Sequence, residues 1–114
     1  MPKTIAECRA EFGARVIGTA TIAGVEFAFG KPTRDAWRAI QGGGVAVRGG
    51  EGEDAVKRAA ASIEAIEELA RGACLSHNPQ ELEDATERYY DTLTELGSAV
   101  LVAFRAEQEK LGKA

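Results

Sequence analysis

The residues best suited to chemistry are a cysteine and the chain's single histidine, Cys74 and His77, three positions apart. That spacing suits a metal pair, but a structural zinc site takes four ligands. The only other cysteine is Cys8, far away in sequence, and there is no second histidine. A thiol and an imidazole could also act as nucleophile and base, given a shared geometry that a short connector seldom provides. Cys74 sits between Ala73 and Leu75 and reads as a small buried hydrophobe, and His77 as an exposed loop residue. The carboxylates Glu64, Glu67, Glu68, Glu81, Glu83 and Asp84 fall on helix exteriors, and nothing singles out two acids that share a cleft. The run GGGVAVRGGEGED from Gly42 to Asp54 lacks the Lys-Ser/Thr of a phosphate loop, and its own acids repel an anion. No catalytic, cofactor-binding or metal-binding residue is assigned, and the chain is not expected to be an enzyme.

Aromatic side chains are the better functional lead. Trp37, Tyr89 and Tyr90 are of the types that anchor protein interfaces. Adjacent Tyr89 and Tyr90 cannot both point inward on one helix, so one of them is exposed, idle or at a partner surface. Trp37 is either a contact residue or packs under a hairpin with Phe27 and Phe29.

These residues need elements to position them. The 114 residues suit one domain, 45% hydrophobic and 28% charged. Aromatics are 6%, so aliphatic residues and alanine fill most of the core. The net charge of −4 and a pI near 5.1, with no basic stripe, argue against a nucleic-acid partner. No apolar run is long enough for a membrane span or a signal core, which suggests a cytoplasmic protein with free thiols.

Along the chain, residues 1–14 form an N-terminal segment in which Thr4 and Glu7 offer a capping box for a helix over Ile5–Phe12, unless the terminus frays. Residues 15–30 read as a β-hairpin, Arg15–Ile22 and Val25–Phe29, turning at Ala23-Gly24. Thr33 caps a helix over 33–41, with Trp37 and Ile40 inward, and three glycines from Gly42 stop it. Residues 42–53 are a Gly-rich loop, and 54–111 the main helical part. There Asp54 starts a helix with Val56, Ala59, Ala60, Ile63, Ile66 and Ala70 on its apolar stripe, ending at Gly72. Asn78, Pro79 and Glu81 combine a cap, a first-turn proline and a capping box. Beyond them lies one long helix, or two broken near Tyr90-Asp91 with Thr92 and Glu95 as a second box; Gly97 need not break it, being tolerated where another helix packs closely. The fold class is α+β: an N-terminal hairpin packed on a bundle of about four helices.

The order of these elements, with Gly24-Val25-Glu26-Phe27-Ala28-Phe29, Lys31-Pro32-Thr33-Arg34, Cys74-Leu75-Ser76-His77-Asn78-Pro79, Glu87-Arg88-Tyr89-Tyr90 and Leu96-Gly97-Ser98-Ala99-Val100-Leu101, resembles the small tail assembly chaperones of long-tailed bacteriophages and related prophages. The resemblance implies a non-enzymatic protein that binds the tape measure protein, keeps it soluble in the host cytoplasm during tail assembly, and is absent from the finished virion. Homo-oligomers would suit a client that needs many copies. Two other readings stand beside it. One is a small phage or bacterial regulator or inhibitor acting by protein–protein binding, for which an acidic surface suits a basic target. The other is a small enzyme or metal protein built on Cys74 and His77.

Overall fold

The computed structural model describes residues 2–47 and 53–113, without the side chains of 41–47, 53–62 and 113. Its elements are α1 (Ile5–Phe12), a 3-10 turn (Gly13–Arg15), β1 (Gly18–Ile22), β2 (Val25–Phe29), α2 (Arg34–Val47), α3 (Glu53–Ala73), α4 (Pro79–Arg88) and α5 (Thr92–Lys113). The fold is α+β, a two-stranded antiparallel hairpin set on helices, with five α-helices among the described residues where about four were expected.

The Thr4 capping box forms as the sequence indicates: the Glu7 N–H donates to Thr4 Oγ1 at 3.1 Å and the Thr4 N–H to Glu7 Oε1 at 3.2 Å. The first strand starts later than Arg15, because Gly13–Arg15 tighten into the 3-10 turn. Ala23 and Gly24 both take positive φ, 51° and 79°, as a two-residue type I′ turn demands. The register pairs Ile22 with Val25, Ala20 with Phe27 and Gly18 with Phe29. That alternation buries Phe27 and Phe29 against Leu69, Leu82, Leu93, Leu96 and Val100, the centre of the core.

Thr33 caps α2, its Oγ1 accepting the Ala36 N–H at 3.2 Å. The helix does not stop at Gln41 but continues through Gly42–Gly44 to Val47. Three interior glycines cost about 3 kcal/mol relative to alanine, and the packing of α2 along α3 supplies the compensation that propensity leaves out. Of the expected Gly-rich loop, residues 48–52 lie outside the described residues, as do the side chains of Asp54, Val56, Ala59 and Ala60. Asp54 lies inside α3, one residue after its first position, and α3 ends at Ala73, one residue beyond Gly72. Ile63, placed on the apolar stripe by its spacing, is an exposed residue.

α3 and α5 make the closest helix approach. A Cβ on Gly97 would stand 2.6 Å from the Ile66 carbonyl oxygen and closer still to Ile66 Cγ2, so only glycine fits that crossing. The C-terminal part is two helices. Tyr89 leaves helical geometry (φ −144°, ψ 105°), and Thr92 starts α5. The capping box expected from Thr92 and Glu95 is replaced by a different device. The Thr92 hydroxyl donates to the carbonyls of Tyr89 (2.5 Å) and Ala85 (3.3 Å), tying the start of α5 to the end of α4. Asp91 takes the cap position instead, its carbonyl accepting the Glu95 N–H at 2.9 Å. Among the described residues no helix is long and apolar enough to cross a membrane.

Candidate partner-binding surface

The surface is built on α4. Asn78 Oδ1 accepts the Glu81 N–H at 2.8 Å and Glu81 Oε1 accepts the Asn78 N–H at 2.9 Å, which fixes the direction in which the helix leaves the connector. The Asn78 N–H holds the Glu81 carboxyl below its ordinary pKa. Glu81, Ala85 and Arg88 then follow i, i+4, i+7 spacing and share the face turned toward the hairpin.

Between that face and β2 runs a groove with three adjoining compartments. The innermost, of about 180 Å³, lies under the hairpin turn between Ile22, Val25, Phe27, Ala85, Arg88 and Tyr89. A second, of about 340 Å³, extends past Val25 and Ala85 to His77, Glu81 and Asp84. A third, of about 420 Å³, wraps the corner from Arg88 to Tyr89, Tyr90 and Asp91. Arg88 borders all three. The floor is apolar and the rim is acidic, apart from that guanidinium.

Both tyrosines are exposed, Tyr89 at 37% and Tyr90 at 79%. The helix break allows this, since the pair sits at a corner and not on one helical face. The Tyr89 hydroxyl is hydrogen-bonded to Glu95, which raises its pKa. Trp37 is elsewhere. It is half-buried and meets Phe104 of α5 edge-on, with ring centres 4.9 Å apart and planes at 79°. It packs α2 on α5, neither joining the groove nor making its ring contact with Phe27 or Phe29.

His77 is not the exposed loop residue its position suggests. It is only 7% exposed, stacked on Phe27 with ring centres 4.3 Å apart. Its Nδ1 lies 2.7 Å from Ser76 Oγ, and Ser76 Oγ also accepts the Ala28 N–H at 3.0 Å. Cys74 is half-buried, its Sγ 3.8 Å from the same hydroxyl, and burial raises its pKa. Cys8 is fully buried and raised likewise, so neither thiol is activated. The connector residues therefore anchor β2. No group of three or more His, Cys, Asp or Glu able to hold a metal exists among the described residues.

Sequence reasoning missed Arg88 and Ser76. Arg88 follows Glu81 by seven residues on a capped helix, which was a readable signal. Ser76 had none, because its partner Ala28 is 48 residues away. No family model, curated protein or solved structure matches this chain.

Proposed function

We propose that this protein is a tail assembly chaperone of a long-tailed bacteriophage or related prophage, binding the tape measure protein in the host cytoplasm until tube subunits polymerise around it. The observation that carries the reading is the groove between the hairpin and α4, whose apolar floor ends at Arg88, Tyr89 and Tyr90. A tape measure protein is a long, helix-prone chain with apolar stripes. A helix laid in the groove would set its stripe on Val25 and Ala85, with tyrosine and arginine as anchors at the open end. The choice of client rests on the motifs that resemble this chaperone family, and the groove supports the reading by offering an apolar surface of the right kind.

Co-expression tests the reading. A tape measure protein co-expressed with this chain is expected to move from the insoluble to the soluble fraction, and to co-purify with it. No gain in solubility together with no co-purification would remove the proposal.

A further inference from the structure

Among the described residues that line the groove on α4, Arg88 is the one arginine or lysine. The acids around it are bonded elsewhere. Asp84, four residues earlier and well spaced for a helical ion pair, accepts instead from Gln80 Nε2 at 3.0 Å. Glu81 Oε1 accepts the Asn78 N–H, and Glu95 is hydrogen-bonded by Tyr89. Glu87 and Asp91 share the corner with Arg88 without forming an ion pair with it. Among the described residues the guanidinium enters no ion pair, hydrogen bond or ring contact. Its place in the last turn of α4 suits the helix dipole, but that interaction uses its charge and leaves its fork of N–H donors to solvent.

Beside that guanidinium the innermost compartment is floored by Ile22 and Phe27, both buried. Its volume of about 180 Å³ exceeds that of an apolar cavity of about 150 Å³ that holds a benzene ring. It has room for one large aliphatic or aromatic side chain. We propose that the groove selects a client helix carrying an apolar residue with a glutamate or aspartate one turn away, the apolar side chain entering the innermost compartment and the carboxylate pairing with Arg88. This specificity rests on the reading of the groove as the client site.

Two residues one helical turn apart lie on one face, so anchor and acid can engage together. The planar guanidinium takes a carboxylate through two parallel hydrogen bonds. Against an apolar floor that pair is screened less than on an open surface. Elsewhere along the groove a carboxylate meets Glu81, Asp84 or Asp91, so it is welcome only at Arg88. Anchor and acid are two distinct points, and together they set the register and direction of the client. The groove also continues on both sides of Arg88, toward Glu81 one way and Tyr90 the other, with roughly 10 Å of helix between Glu81 and Arg88. A client therefore runs past the guanidinium, and the carboxylate is a side chain's and not a chain end's.

The probes are peptides of about 20 residues tiled through a tape measure protein, longer than the groove when helical. Binding to the full chain is read by fluorescence anisotropy. Peptides that bind the wild type should carry the apolar–acid pair. Changing that acid to glutamine should weaken binding at least about tenfold, and Arg88→Glu should weaken the parent peptide as much. The Arg88→Glu protein should then bind the peptide whose acid is changed to lysine more tightly than the wild type does, a reversal that loss of fold cannot produce. Equal binding of the acid and glutamine peptides would overturn the proposal while the chaperone reading stands. So would binding confined to the client's own C-terminal peptide and abolished by amidating it. If no tiled peptide binds the wild type, the chaperone reading fails and this specificity with it.

Discussion

His77 lies on Phe27 with 4.3 Å between ring centres and 25° between ring planes, so the connector before α4 is stacked onto the middle of β2. The Ser76 hydroxyl accepts the Ala28 N–H and shares a second hydrogen bond with His77 Nδ1, so strand, connector and ring are held together at one oxygen. The contact depends on an uncharged imidazole.

Stability should therefore fall in mild acid. Burial lowers the His77 pKa from 6.5, with Glu81 opposing the shift. Below 6.5 the unfolded chain takes up a proton that the folded ring resists. The ring's contribution is thus complete above pH 6.5 and declines as pH falls toward the folded pKa. Urea midpoints measured across that window should drop for the wild type, and His77→Gln should flatten this part of the profile. A parallel fall in the variant would assign the slope to other groups.

Gly97→Ala should destabilise by about 3 kcal/mol, the upper end for overpacking, since the new methyl meets the Ile66 backbone and not a yielding side-chain tip. Urea denaturation with an unchanged slope and a lower midpoint is the expected signature.

Ala23→Asn should stabilise the hairpin by about 1 kcal/mol, because alanine at φ 51° bears a left-handed penalty that asparagine relieves. It also creates an Asn-Gly turn, the pair that type I′ geometry favours. The same urea experiment reads it as a raised midpoint.

Much of this fold could be read locally. Thr4–Glu7, Thr33 and Asn78–Pro79–Glu81 start their helices where capping chemistry places them. Gly97 is readable as a residue tolerated beside a closely packed helix, and the structure shows that helix to be α3. What escaped reading was set over long distances. The glycines of α2 stay helical because α3 packs beside them, and His77 is buried by Phe27, fifty residues earlier in the chain. Of the three aromatic candidates, Tyr89 and Tyr90 are brought together at the groove. Trp37 is taken up by Phe104, a partner 67 residues away that periodicity could not name.

Tyr90 and Arg88 are exposed, and replacing both with alanine should change stability by no more than about 0.5 kcal/mol. Loss of binding in that variant would therefore report the surface and not the fold.

The most direct measurement is a titration of purified tape measure protein segments with the wild type and with the Tyr90→Ala, Arg88→Ala variant, both checked by urea unfolding. Binding by the wild type, weakened at least about tenfold in a variant of unchanged stability, is the predicted result. A wild type that does not bind, or a variant that binds as tightly, would contradict it.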